Sequence, residues 1–181
     1  MVRGLLLLGV FLVSAAADEP CKSGLQPSQR PGPHSALVAV GPQRGQQHCF
    51  ICETADKPAV IVFARTLSEP LGKLAHGIDQ AVGKHKDAEL KAWITFLYDD
   101  QISVDGKIVK WAQQHAVGSV PIAVIEDVGG PPSYKLARDA DVTVLLFVKQ
   151  KVVANFAFRE GELTNARIDE VLKAVPELVK K

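Results

Sequence analysis

Four short, largely apolar runs constrain this chain more than any other feature: Ala59 to Ala64, which is unbroken, Trp93 to Tyr98, Pro121 to Ile125 and Val142 to Val148. Runs of this length without alternation suit strands covered on both faces. Between them the apolar residues recur at helical spacing. Leu71, Leu74, Ala75, Ile78, Ala81 and Val82 follow Pro70, a helix-start signal, and Ile108, Trp111, Ala112 and His115 mark one face of a short helix ending before Gly118. Pro131-Pro132 opens a brief helix containing Tyr134, Leu136 and Ala137. Lys149-Gln150-Lys151 then turns the fourth run into a further strand, Val152 to Phe158, which alternates Val153, Asn155 and Ala157 against Val152, Ala154 and Phe156, so that one face is expected to be wetter. Thr164 can cap a final helix bearing Ile168, Val171, Leu172 and Val175. The order β-α-β-α-β-α-β-β-α predicts an α/β sheet with helices on both faces, carried by residues 48–181.

The first residues read as an export signal. Arg3 supplies a positive charge, Leu5 to Val13 an apolar stretch, and Ala15-Ala16-Ala17 a small-residue cleavage site, so residues 1–17 are expected to be removed. The stretch is shorter than the ~20 residues of a membrane-spanning helix, and no second one follows. Asp18-Glu19-Pro20 before Cys21 is neither small nor apolar, which excludes a lipoprotein site. The expected product is secreted or periplasmic, with other exported proteins as its partners. Formal charge is +1 with Arg3 included, so electrostatic capture of nucleic acid or an anionic membrane is not expected. Residues 18–47 carry Pro20, Pro27, Pro31, Pro33 and Pro42 among Ser, Gln and Gly and read as an extended Pro/Gly/Gln-rich arm. Within it Ala36 to Val40 suits an edge strand, ended by Gly41-Pro42.

Several stretches resemble the thioredoxin-like superfamily, and within it the redoxin branch of peroxiredoxins and exported thiol reductases. Val109 to His115 leading into Val120-Pro121-Ile122-Ala123-Val124, with Asp127 beyond, is similar to the redoxin helix and following strand. Tyr134 with Leu136-Ala137 resembles the short helix before the penultimate strand. Val142 to Phe158 resembles the closing strand pair, and Ile168 to Val175 the terminal helix. The resemblance spans Pro58 to Val175 and implies a thioredoxin-like, redoxin-type three-layer α/β/α fold with a mixed central sheet. It also implies where a site should lie. The family sets a thiolate at the start of the first helix, where the helix N-terminus lowers the thiol pKa. Here the matching residues are Thr66, Leu67, Ser68, Glu69 and Pro70, none with sulfur. The family's cis-proline slot falls at Val142, after Asp141. A non-proline cis bond costs ~3 kcal/mol, so a trans bond is expected. Thr66, Ser68, Glu69, Pro70, Asp141 and Val142 are left as an expected binding edge without a nucleophile. No cofactor is implied.

The chain does contain a C-x-x-C, Cys49-Phe50-Ile51-Cys52, but it lies about seven residues before the first strand rather than after it. In an extended segment the two Cα atoms sit about 10 Å apart, whereas a disulfide needs them within roughly 7 Å. Phe50 and Ile51 favour strands over tight turns, although Gly45 and the stretch Glu53 to Pro58 can bend the chain. Two readings follow. In the first, the favoured expectation, the domain is a non-catalytic binding or structural module and Cys49 and Cys52 fasten its N-terminal segment. In the second, Cys49 and Cys52 form a relocated pair that exchanges with thiols of other exported proteins. His48, when protonated, lowers the pKa of Cys49, while Glu53 raises that of Cys52. A metal site from Cys49, Cys52, Cys21 and His34 or His48 lacks the second close pair that tetrahedral zinc commonly uses, so none is expected. His76, His85 and His115 are scattered on predicted helices. Ser68-Glu69 lacks a G-x-S-x-G setting, and Asp99-Asp100 with Asp105-Gly106 lacks EF-hand spacing. Trp93 and Trp111 read as core, and Lys84-His85-Lys86 as surface.

Overall fold

A computed structural model describes residues 19–180; the expected export signal, 1–17, lies outside the described residues. Seven strands form one sheet: β1 (Ala36–Val40), β2 (Gln47–His48), β3 (Ala59–Ala64), β4 (Lys91–Leu97), β5 (Ile122–Ile125), β6 (Val142–Val148) and β7 (Lys151–Phe158). Their order across the sheet is β2-β1-β5-β4-β3-β6-β7. β3, β4 and β5 are parallel, and β1, β6 and β7 run antiparallel to their neighbours, giving the expected mixed sheet. The apolar runs occupy its centre because both faces there are covered; every residue of β3 is buried.

Three α-helices complete the frame: α1 (Glu69–Lys84), α2 (Gln101–Gln114) and α3 (Asn165–Ala174). The caps are those the residue types favour. The Ser68 hydroxyl accepts from the Leu71 N–H, Asp100 from Ile102 and Ser103, and Thr164 from Arg167. All three helices pack on one face of the sheet, against Val60, Val62, Ile94, Phe96 and Val144. The steps β3-α1-β4 and β4-α2-β5 move across the sheet in the same direction, so right-handed connection puts both helices on one side.

The opposite layer is built differently from the expected helix. β6 is antiparallel, so the β5–β6 connection starts and ends at the same end of the sheet. Its Gly129-Gly130-Pro131-Pro132 stretch supports only a 3-10 turn, Pro132–Tyr134, which plugs Tyr134 into this face. The rest of the layer comes from Leu25 of the arm and from Phe50 and Ile51. The arm is therefore part of the packed structure. Ala36–Val40 is not an edge strand, because β2 covers its outer side and the sheet begins inside the Pro-rich segment.

The arm is tied at the face of β7 that carries Asn155. Asn155 Nδ2 donates to the carbonyls of Ser23 (2.8 Å) and Leu25 (2.7 Å). The Ser23 and Thr143 hydroxyls lie 2.7 Å apart, and Ser23 Oγ accepts from the Ala137 N–H. Ser23 and Thr143 are both buried; paired in this way, they leave no hydroxyl unsatisfied.

Candidate functional site

Cys49 and Cys52 are joined in a disulfide with their Cα atoms 5.4 Å apart. The extended geometry is replaced by a single 3-10 turn, Phe50–Glu53, with Cys49 at its N-cap. Residues three apart eclipse in a 3-10 turn, which brings the two sulfurs to one side. Phe50 and Ile51 accept the turn because it buries both, at 9% and 5% exposure. Tertiary burial here outweighs their strand preference. The Phe50 ring stacks on Trp93 with centroids 5.7 Å apart and meets His48 edge-on at 4.6 Å. Cys52 is exposed and Cys49 half-buried. His48 Nε2 lies 3.4 Å from Glu53 Oε1.

Beside the turn is a cavity of about 390 Å³. Its walls include Phe50, Trp93, His48, Lys86, Lys91 and Pro121. Trp93 is core, as expected, yet it also forms a wall of this hollow, and Lys86 stands at the cavity as well as at the surface. Local sequence signals do not reveal that role: only the pairing of β4 with β3 and the burial of Phe50 bring Trp93 to the cysteine turn.

The second group of expected site residues gathers elsewhere. Thr66, Ser68, Pro70 and Asp141 line a separate hollow of about 410 Å³, together with Arg159 and Gly161. Glu69 opens α1 and sits 3.7 Å from His115 Nε2, and Val142 begins β6 as part of the core. Thr66 Oγ1 donates to Asp141 Oδ2 at 2.9 Å. Arg65 fixes the same loop: its backbone N–H donates to the Asp141 carbonyl, and its guanidinium to the carbonyls of Ala140, Ala137 and Val128. Burial pushes the Asp141 carboxyl up, against the lowering effect of the Thr66 hydrogen bond; nearby Glu160 adds to the rise and Arg65 opposes it. No peptide bond among the described residues is cis, that before Val142 included.

The two groups occupy opposite ends of the sheet. The cysteine turn precedes the start of β3, whereas Thr66 to Pro70 follow its end, about 17 Å away along a six-residue strand. They do not form one site. Cys21, the third cysteine, is unpaired and half-buried near Arg159, at the α1 end. Burial pushes its thiol up, with Asp139 adding to the rise, which leaves it poor in thiolate.

No family model and no curated protein matches the chain by sequence. Solved structures match it by shape. A candidate protein disulfide isomerase from Bacteroides thetaiotaomicron superposes with a TM-score of 0.65 at 15% identity, over 88% of this chain and 94% of that one. A yeast mitochondrial 1-Cys peroxiredoxin gives 0.60 at 16% identity, over 85% and 76%. A secreted disulfide oxidoreductase from Mycobacterium tuberculosis gives 0.55 at 10% identity, over 80% and 95%. The mixed sheet, its strand order and these likenesses agree: the chain has the thioredoxin-like fold of the redoxin proteins.

Proposed function

We propose that the protein is an exported thiol–disulfide oxidoreductase whose redox pair is Cys49 and Cys52, moved to the end of the sheet opposite the family's usual site. The observation that carries this reading is a disulfide that closes a four-residue segment and whose second cysteine, Cys52, is an exposed residue. Such a bond closes so short a loop that chain entropy gives it only about 1.9 kcal/mol of stabilisation, against about 3 kcal/mol for a 15-residue loop. It also links two residues of one turn, neither of them in the arm or in a strand. The arm is tied by Asn155, Ser23 and Thr143 instead, so fastening the N-terminal segment does not explain the bond.

Exchange is chemically simple at this position. A substrate thiolate attacks Cys52 Sγ, the S–S bond breaks, and Cys49 leaves with the electron pair and takes up a proton. A second substrate thiolate then attacks the substrate sulfur of the mixed disulfide and releases Cys52. Two substrate thiols become a disulfide, and the protein disulfide becomes two thiols. The reverse sequence reduces a substrate. Burial of Phe50 and Ile51 holds the turn after reduction and keeps the two thiols close for reoxidation. The hollow lined by Thr66, Ser68, Pro70 and Asp141 has no sulfur and serves in this reading as a binding edge. Export, which rests on the leader-like residues 1–17, supplies the oxidising surroundings that a disulfide needs.

The test is the reduction potential of Cys49–Cys52, measured in thiol buffers, together with reduction of a disulfide-bonded protein substrate. An exposed exchanging pair lies above about −300 mV. A much lower value with no turnover of substrate defeats the proposal. A secreted product beginning at Asp18, read by mass spectrometry, tests export.

A further inference from the structure

We propose that Thr54 is a positioning residue for exchange at Cys49–Cys52, its hydroxyl holding Cys52 in register with Cys49 while the S–S bond is open; this rests on the exchange reading above. Thr54 stands just beyond Cys52 and Glu53 and is 1% exposed. Its Oγ1–H reaches back across Cys52 to the Ile51 carbonyl at 2.9 Å, and its own N–H donates to the same oxygen at 3.3 Å. That carbonyl belongs to the peptide group that carries the Cys52 N–H, which in turn donates to the Cys49 carbonyl at 3.2 Å. One peptide plane therefore accepts from Thr54 at its oxygen and donates to Cys49 at its nitrogen. Bonds chained through a peptide in this way polarise and strengthen one another. None of them involves sulfur.

Of the two cysteines, Cys52 is the one without a side-chain anchor. Cys49 packs against the core of the helix-free face, next to the buried Phe50 and Ile51. Cys52 is exposed, and so is Glu53 after it. Thr54 supplies the missing hold and is itself fixed from beyond the disulfide loop. The Thr54 carbonyl accepts from the Lys57 N–H at 2.8 Å, and the Asp56 carbonyl from the N–H of Lys149, in the β6–β7 turn, at 3.3 Å. The hold acts at one step of exchange. In the mixed disulfide Cys52 Sγ is bonded to a substrate sulfur and Cys49 is a free thiol. Cys49 gives up its proton and attacks Cys52 Sγ, the bond from Cys52 to the substrate breaks, and the substrate leaves with the electron pair and takes up a proton. The ring closes only while residues 49–52 keep their turn, so the Thr54 bond raises the effective concentration of Cys49 at Cys52.

The full chain is equilibrated in dithiothreitol redox buffers, and the effective molarity of ring closure is read from the oxidised fraction. Thr54→Val keeps the shape and loses the donor. It should lower the effective molarity about fivefold, the worth of one buried hydrogen bond, which raises the reduction potential by about 20 mV, at roughly 30 mV per tenfold. Thr54→Ser keeps the donor and should stay within about twofold of wild type. Urea unfolding of the oxidised proteins is measured alongside. A Thr54→Val protein that loses stability but closes its ring as wild type does makes Thr54 merely structural and overturns the proposal. So does a Thr54→Ser protein that behaves like Thr54→Val, since the methyl group is then what counts. The wild type supplies a check that needs no variant: in the dithiothreitol-reduced protein the Cys52 amide should stay protected from hydrogen exchange, and free exchange there overturns the proposal as well. The exchange reading fails separately. A wild-type pair that equilibrates with dithiothreitol yet turns over no protein substrate defeats that reading, while the ratio of Thr54→Val to wild type still decides whether Thr54 positions Cys52.

Discussion

Replacing Asn155 by Ala should free the N-terminal arm, whereas reducing Cys49–Cys52 should not. The Asn155 amide donates twice, to Ser23 O at 2.8 Å and to Leu25 O at 2.7 Å. Each such bond contributes about 1 kcal/mol net, so its loss removes about 2 kcal/mol from the closed arm. That corresponds to about a 30-fold rise in the opening equilibrium, at tenfold per 1.4 kcal/mol. Two amides report it directly, because they bond only while the arm is docked: Gly24 N–H to the Lys135 carbonyl at 3.1 Å, and Ser28 N–H to the Val152 carbonyl at 2.8 Å. Native-state hydrogen exchange should show both losing protection by about 30-fold in Asn155→Ala, a local opening rather than a global one. In the Cys49→Ser/Cys52→Ser variant the same amides should keep their protection, while global stability falls by no more than about 1.9 kcal/mol. The reasoning is refuted if reducing or removing the disulfide deprotects Gly24 and Ser28, or if Asn155→Ala leaves them as they were.

Asp79 Oδ1 accepts from the N–H groups of Gly118, Ser119 and Val120, at 3.1, 2.6 and 2.8 Å. Asp79→Ala should therefore cost about 3 kcal/mol in urea unfolding, since it orphans several backbone donors at once. Gly72 faces the His115 ring, where an added Cβ would lie 2.3 Å from its atoms. Gly72→Ala should thus destabilise by about 2 kcal/mol, reversing the gain of about 1 kcal/mol that Ala brings inside an ordinary helix. His34 packs against Tyr134 and Phe63, with centroids at 4.9 and 5.8 Å, and burial holds its pKa below the ordinary value. The unfolded chain therefore binds the proton more readily than the fold does. Stability supplied by neutral His34 is complete above the unfolded pKa of about 6.5 and declines as pH falls below it. Unfolding free energies measured from pH 8 to 5 should show that decline in the wild type and a smaller one in His34→Phe.

The strands and helices were legible because their signals are local. Ala59 to Ala64 is apolar throughout, and Val142 to Val148 apart from Thr143, because both faces of the central sheet are covered, and Ser68 and Thr164 cap the helices they precede. Placement was less legible. Nothing near Ala36–Val40 shows that it will lie between β2 and β5, since that position depends on antiparallel pairing with residues more than eighty positions away. The cysteine turn was misjudged for a related reason. Propensity assigns Phe50 and Ile51 to a strand, but the pocket formed by Trp93 and the rest of the helix-free face rewards burying both in a turn. The Thr66 to Pro70 end was recognisable as lacking sulfur from residue identity alone. That the sulfurs sit at the far end of β3 required the register.

That displacement limits how the proposed chemistry can work. At the family's usual position a helix N-terminus stabilises the thiolate and so favours the reduced form. Cys49 and Cys52 precede only a 3-10 turn and a strand, and Glu53 beside them carries negative charge. Their reduced state receives little of that help. A dithiol whose reduced form is not specially stabilised is a weak oxidant, so the pair should not behave as a strong donor of disulfides. What the site offers instead is proximity. The buried Phe50 and Ile51 anchor the turn in either redox state, so reclosing the ring is intramolecular and fast relative to attack by a dilute competitor. The proposed function therefore takes a definite form, in which Cys49–Cys52 is readily re-formed and its turnover is set by how well a thiol is delivered to Cys52.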